Sequence, residues 1–433
     1  MIKEIKLKIH EYSILDLLNL LFFIITPFLF SIINLFEVDF FKIQDKTIIF
    51  YNYFVNPIIF ITYFITLFYR IKNNALPLNI FCFTYLDFII LCGYILFSTF
   101  ITGWSIYALV GNNYRNESVF TQLFYFLFFF FASSQIKNSN FRRIVINFIV
   151  FVSVLIIPYS FWLWGHVINP AAVMTAWQPA LTGVFFNTNH YGYYLVIVLL
   201  LSAGMFINFS GWKRFAYAFA IIANTITLSF NDSFGPWLAI VCALFVQMVL
   251  YYFKDREKFL FSVVVFGLFI GVTAITSFWT LNVFHSIIKF IHDIFLVSSN
   301  SPKAGTAGSS RWMIWSGTIK MIKQKPIFGW GMEAITRFGK VQEVGYDRPH
   351  NEYLQYALFY GIPAAILYII GCLSVLTKGF KGRNRDGLAY TCLIASVGYM
   401  LSAFFGNTMF YTTPYFFICL GLTFSLSFNN SIN

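Results

Sequence analysis

The feature that most constrains this chain is a succession of apolar runs, each about 20 residues long, separated by short polar segments. A run of that length matches the hydrocarbon thickness of a bilayer when coiled as an α-helix. Lipid offers no partner for backbone N–H and C=O groups, so each run must satisfy its own hydrogen bonds. Twelve runs meet the rule, at about 14–36, 47–69, 82–102, 118–135, 144–165, 190–208, 213–230, 235–253, 259–279, 351–376, 388–405 and 411–428. The expected fold class is all-α, a polytopic transmembrane helical bundle of about 12 helices forming a single integral membrane domain over residues 1–433.

Composition closes off the other classes. Hydrophobic residues are 59% of the chain and charged residues 11%, against roughly 45–50% and 25% in soluble domains. So few charges cannot cover a water-facing surface, which excludes disorder, a coiled coil and a soluble nucleic-acid module. The 57 Phe and 26 Tyr suit surfaces in contact with lipid and its interfaces. The six cysteines all fall inside apolar runs without a CxxC pair, so buried free thiols are expected rather than a disulfide or zinc framework. Six scattered histidines without an HExxH pattern give no metal site, and no cofactor is expected. The basic N-terminal stretch lacks a small-residue cleavage site, so a retained first helix is expected.

The net charge of +12 follows topology. Alternate short loops collect 17 basic residues on one face, from Lys3 to Arg385, and only Lys42, Lys46 and Arg115 on the other. The positive-inside rule then puts both termini in the cytoplasm. One outer loop, 280–350, is long enough to escape that rule. It carries nine basic and four acidic residues and three of the chain's ten tryptophans. A long loop that is not low-complexity is expected to fold and to carry function.

Within that loop, 298–309 reads as a flexible polar link. A helix is expected from about Ser310, with Ser309 or Ser310 as its cap and an apolar stripe of Trp312, Trp315, Ile319 and Ile322 lying at the membrane interface. Arg311 sits in the first turn, where it either joins unpaired N–H groups to bind an anion or snorkels to lipid headgroups. KPIFGWG (325–331) is either a structural turn or a backbone nest facing an oxyanion. In DRPHNEYLQ (347–355), Pro349 fits a helix start and places His350 at the mouth of a span. Asn351, Glu352 and Gln355 carry polar chemistry into the first turn, which is costly unless they line a cavity. His350 is therefore either a proton-transfer group or a solvated interfacial histidine. In FFNTNHYGYYL (185–195), Asn187, Asn189 and His190 either cap a helix or line the same cavity. NDSFGPWLAI (231–240) opens another span, with Asp232 its only charge and Ser233 a candidate cap.

The order SSRWMIW, KPIFGWG, RPHNEYLQ and GIP (361–363) resembles the O-antigen ligase and polymerase superfamily, and FFNTNHYGYYL resembles its earlier Asn-rich helix start. The resemblance implies a GT-C-like glycosyltransferase of the bacterial inner membrane with its site facing the periplasm. The implied donor is a glycan on undecaprenyl diphosphate. An acceptor hydroxyl attacks the anomeric carbon with inversion, without a metal. The family's loop Arg falls on Arg311, with diphosphate binding as its role, and its His on His350, which orients or deprotonates the acceptor. An arginine that many members carry near the matching helix start is replaced by Phe234, and LTG (181–183) lacks another basic residue. Arg348, Arg337 or Lys320 would then supply the missing charge. The implied acceptor is a lipid-linked repeat unit for a polymerase, or lipid A–core for a ligase of lipopolysaccharide assembly. Membrane lipids and a chain-length regulator are the other implied partners, and nucleic acid is not. The rival from another class is a flippase for lipid-linked oligosaccharides, but repeated halves and paired broken helices are missing from the sequence.

Overall fold

The structure is a computed structural model that describes residues 54, 56–72, 82–111, 117–135, 139–165, 180–185, 187–278, 283–299, 301–332, 348–381, 387–410 and 412–428. Its helices are α1 (Asn56–Lys72), α2 (Phe83–Gly103), α3 (Ile106–Val110), α4 (Val119–Gln135), α5 (Ser139–Leu163), α6 (Thr188–Asn208), α7 (Trp212–Asn231) and α8 (Phe234–Lys254). The chain continues with α9 (Arg256–Thr276), α10 (Val283–Ser298), α11 (Arg311–Gln324), α12 (Glu352–Tyr360), α13 (Ile362–Lys381), α14 (Gly387–Ser402) and α15 (Thr413–Phe428). Among the described residues, seven helices are long and apolar enough to cross a membrane: Phe83–Gly103, Arg142–Leu163, Thr188–Asn208, Phe234–Lys254, Arg256–Thr276, Ile362–Lys381 and Gly387–Phe405. Val119–Ser133 and Thr413–Ser425 are shorter apolar helices. The chain is a polytopic helical membrane protein. The expected first span, 14–36, and the start of the second lie outside the described residues.

The bundle is built around α6, whose span is buried along its whole length. It packs against α7, α8 and α14. Close approach to α14 depends on Gly204, since a Cβ there would sit 2.4 Å from Thr391 Oγ1. Small residues let helix backbones meet in lipid, where tight contact rather than water exclusion drives association. A second group joins α4, α15, α13 and α2 through a cluster of Phe88, Phe126, Phe129, Tyr368 and Phe417 rings. Some polar side chains inside the bundle are bonded across helices, as Asn224 Nδ2 to Ser153 Oγ at 3.0 Å and Gln122 Nε2 to Thr408 Oγ1 at 3.0 Å. All six cysteines are free thiols.

The expected span 351–376 is two helices, α12 and α13, broken at Gly361. The cause is local. Pro363 has no N–H, so Phe359 O loses the donor a continuous helix would provide. Gly361 takes φ +95, which frees Ile362 N and Leu358 O as well. KPIFGWG fills all three vacancies: Trp330 N donates to Leu358 O at 2.8 Å, Gly331 N to Phe359 O at 2.9 Å, and Ile362 N to Pro326 O at 2.7 Å. Tyr94 Oη and Ser98 Oγ of α2 donate to Ile327 O and Phe328 O at 2.5 and 2.6 Å. Trp330 Nε1 donates to Met321 O of α11 at 2.8 Å. KPIFGWG is thus a structural turn. The amides of Trp330 and Gly331, which the nest reading would aim at an oxyanion, are already bonded.

Two further expectations need correction. Residues 301–310 form an ordered turn with a short 3-10 segment, Ala304–Thr306, rather than a loose link. The buried side of α11 is Ile314, Gly317, Thr318, Met321 and Ile322. Trp312 and Ile319 are exposed instead, so the expected stripe divides between bundle and surroundings. The bundle face wins because Gly317 and Thr318 pack closely without being hydrophobic.

Gly361→Ala tests the break. A Cβ there would lie 1.7 Å from Ile327 O on a backbone with positive φ. The expected loss is about 3 kcal/mol or more, since neither strain nor clash can relax. Thermal melting in detergent should show it as a large drop in Tm or lost expression. Gly267→Ala, with nothing within 4 Å, should melt like the wild type.

Candidate functional site

One end of the bundle holds a cavity of about 1530 Å³. Its wall comes from the starts of α6 and α8, the end of α14, one face of α10 and the first turn of α11. Leu238, Ala239, Leu401 and Phe404 make one part of it apolar, while Asn187, Asn189, Asp232, Lys289 and Arg311 make another polar. The volume exceeds the roughly 300–1,000 Å³ of a drug-sized site.

Arg311 opens α11 on this wall. Nη1 donates to Gly308 O at 3.2 Å and Nη2 to Asn189 Oδ1 at 3.4 Å, while the buried Nε has no hydrogen-bond partner. Ser310 occupies the cap position with φ +69 but makes no side-chain cap bond, and Ser309 also has positive φ. The amides of Arg311 and Trp312 are bonded to Gly308 O and Ala307 O at 3.3 Å each. Those two helix amides are therefore already committed within the turn, and the guanidinium is the charged group of this corner.

The Asn-rich helix start divides its tasks. Asn187 is the N-cap of α6, its Oδ1 accepting from His190 N at 3.2 Å. Asn187 and Asn189 line the cavity. The His190 side chain is 4% exposed and is not part of the wall.

His350 lies beyond the wall. It precedes α12, whose N-cap is Asn351 (Leu354 N to Asn351 Oδ1, 3.0 Å), so Pro349 does not begin the helix. His350 is half-buried, has φ +48 and pairs through Nδ1 with Asn407 Nδ2 at 3.3 Å. Asn407 follows Phe405, a residue of the cavity wall whose carbonyl accepts from Tyr193 Oη. Tyr193 is within electrostatic reach of both Arg311 and Glu352. The 404–407 segment thus runs from the wall of the Arg311 cavity to the His350 corner, and Tyr193 is bonded to it.

The remaining sequence candidates are placed differently. Arg348 is buried in an ion pair with Glu117, which also accepts from Tyr125 Oη at 3.1 Å. Its charge is matched and turned away from the cavity, so the expected substitute cation is not Arg348. Glu352 is buried and accepts from the hydroxyls of Tyr368 and Tyr399, the latter at 3.0 Å. Gln355 bonds Thr408 Oγ1 at 2.8 Å. Lys320 is exposed on α11, away from the wall. Arg337 lies outside the described residues.

Lys289, on α10, was not singled out by its motif, yet it lines the cavity beside Phe234 and Phe290. The signal was periodicity. Ser286, Lys289, Phe290, Asp293, Ile294 and Val297 repeat at helical spacing and all face the cavity. Asp232 is the acidic counterpart on the opposite wall. It has φ 55, and burial pushes its carboxyl above the usual range while nearby Lys289 pulls it back. Ser233 takes the cap position of α8 without a side-chain bond.

The α7–α13 region that carries these groups can now be compared with known proteins. Residues 217–369 match the family described as O-antigen ligase. The matched stretch contains Arg311, Lys289, His350 and the docked KPIFGWG turn, and over it the chain is similar to the O-antigen ligase and polymerase superfamily. No curated protein matches the chain.

The buried Arg348–Glu117 pair gives a stability test. Removing one partner leaves a buried charge without compensation, at a cost of about 3–5 kcal/mol. Arg348→Ala should lower the Tm in detergent sharply, whereas Lys320→Ala on the exposed side of α11 should leave it within about 0.5 kcal/mol of wild type.

Proposed function

We propose that this protein is a membrane glycosyltransferase that moves a glycan from undecaprenyl diphosphate to a lipid-linked repeat unit, a surface-polysaccharide polymerase of the O-antigen type. The observation that carries the reading is the Arg311 guanidinium on the wall of a large cavity lined by both apolar and polar side chains. A polyprenyl diphosphate has the matching division, an apolar chain joined to a dianionic head.

In this reading the donor occupies the cavity. Its diphosphate lies against Arg311 and Lys289, and its isoprenoid chain runs over Leu238, Ala239 and Phe404. Arg offers planar, bidentate contacts to phosphate oxygens, and Lys289 adds a point charge. Lys289 takes up the need for a second cation that Phe234 leaves at the start of α8. The acceptor hydroxyl approaches from the His350 corner. His350 takes its proton as the oxygen attacks the anomeric carbon, and the bond to the diphosphate oxygen breaks with inversion. The two cations stabilise the charge that develops on the leaving diphosphate, which is electrostatic catalysis at its most direct. Asn407 holds the imidazole, and Asn187 and Asn189 offer amide groups to the sugar or phosphate.

The polymerase is favoured over the ligase because this chain departs from the family pattern where charge is needed, as suits a divergent, repeat-specific enzyme. The reading places the protein in the inner membrane with the cavity facing the periplasm and both termini in the cytoplasm. A chain-length regulator and surrounding lipids are its partners.

Purified protein in nanodiscs, given only the lipid-linked repeat, should build a glycan ladder. Product that forms only after lipid A–core is added would establish the ligase instead. Arg311→Ala should lower kcat/KM by roughly 10²–10³-fold, as loss of a preorganised charge partner does. His350→Ala should lower kcat by about 10²–10⁴-fold, the usual contribution of a general base. Lys289→Ala should act mainly on the donor KM. Near-normal ladders from the Arg311 variant would overturn the donor assignment, and from the His350 variant the base assignment.

A further inference from the structure

Asp293 is out of place by charge. It faces the cavity from α10, one helical turn after Lys289, in a site read as binding an anion. A free carboxylate there would repel the ligand. Its Oδ2 is instead engaged, accepting the Gly308 N–H at 2.9 Å. Gly308 O in turn accepts from Arg311 twice, from the backbone N at 3.3 Å and from Nη1 at 3.2 Å. A single residue, Gly308, therefore links the carboxylate to the guanidinium of the cavity wall.

The turn between them needs such a tie. Gly308, Ser309 and Ser310 have φ of +60, +57 and +69 in succession. Two of the three are non-glycine residues in a region that disfavours L side chains. Ser310 gives no cap bond to offset the cost. A contact from a separate element, 15 residues earlier in the chain, supplies what the local sequence lacks.

We propose that Asp293 is a positioning residue for Arg311. It clamps the Gly308–Ser310 turn to α10, so that the guanidinium keeps one orientation, with Nε unbonded beside the cavity. The same clamp couples Lys289 to Arg311, because both cations then ride on one rigid corner. The catalytic consequence rests on the function proposed above, but the positional claim does not.

The full-length protein in nanodiscs tests each separately. Phenylglyoxal labelling of Arg311, followed by peptide-resolved mass spectrometry, reads the guanidinium's environment without any substrate. Asp293→Ala should label Arg311 several-fold faster than wild type. Asp293→Asn, whose Oδ1 still accepts from Gly308 N, should label near the wild-type rate. Equal rates in all three proteins overturn the positional claim whatever the enzyme's activity. Asp293→Glu, with its carboxylate moved by one methylene, serves the same comparison if the alanine variant does not fold.

Binding of undecaprenyl diphosphate is the second arm. Wild-type protein that binds none of it sinks the proposed function and leaves the labelling result standing. Where wild type binds, Asp293→Ala should raise Kd by about tenfold or more, in line with the loss of a charge-assisted hydrogen bond. In an Arg311→Ala background the same change should add less than about twofold, since coupled residues are not additive. A full, additive loss in that background would show that Asp293 acts independently and would reject the positioning role.

Discussion

The arrangement of this end of the molecule depends on a hydrogen-bond exchange at one broken helix. Pro363 and Gly361 leave donors and acceptors open inside a bundle where water is scarce. The turn 325–331 is the only described segment that meets them, with three backbone bonds to Leu358, Phe359 and Ile362. Because the turn follows α11 directly and Trp330 bonds back to Met321, the exchange fixes where α11 lies. Its other consequence is to separate α12 from the span α13. His350 and Asn351 thereby stand at the head of a short buried helix. Arg311 and His350 reach the same end of the bundle because one set of backbone bonds holds both of their helices.

Charge is sorted by what surrounds it. Two deep ionisable groups are held by partners: Arg348 forms an ion pair with Glu117, and Glu352 accepts hydrogen bonds from two tyrosine hydroxyls. Desolvating a charge without such partners costs several kcal/mol, so these pairs are conditions of folding rather than signs of chemistry. Around the cavity the pattern differs. Arg311 keeps an unbonded Nε, Lys289 is exposed to the void, and Asp232 faces it with a carboxyl pushed upward by burial. Incomplete matching beside a large opening is where a ligand's charge can lower the energy, which separates the wall residues from Arg348 although the sequence listed them together.

Span positions were legible from the residues because lipid imposes a minimum length and forbids open backbone. α2, α8, α9 and α14 begin within three residues of expectation. The break at Gly361 was equally written in GIP, but hydropathy alone runs through it. The α11 stripe misled for a different reason. Tryptophans dominate an apolar count, yet the bundle accepted Gly317 and Thr318 for close packing and left Trp312 outside. Arg311 was found by its motif. Lys289 was not, since a single lysine in a basic loop carries no motif, and only the helical repeat of its neighbours marks it. Arg348 was expected to supply charge, and its partner Glu117 lies 231 residues earlier, a pairing no local pattern reveals.

The ties between helices bear on the class of function. A carrier must move its cargo through the bundle and so needs a path that opens toward each end in turn. Here α6 is buried throughout and meets α14 at a contact too close for a Cβ. At the end away from the cavity, Asn208 Nδ2 bonds Gly387 O at 3.1 Å, and Lys254 Nζ bonds Phe380 O and Tyr390 Oη at 2.9 and 2.7 Å. These ties join α6 to α14 and α8 to both α13 and α14, the helices a carrier would have to part. A transferase needs no such parting. It needs two substrates to meet from separate sides at one bond, with the anionic leaving group on one side and a proton acceptor on the other. Tyr193 of α6 is bonded to Phe405 O, in the segment that reaches from the cavity wall to Asn407 beside His350. The cavity at one end and the inter-helix ties at the other agree better with the transferase proposed above than with passage through the bundle.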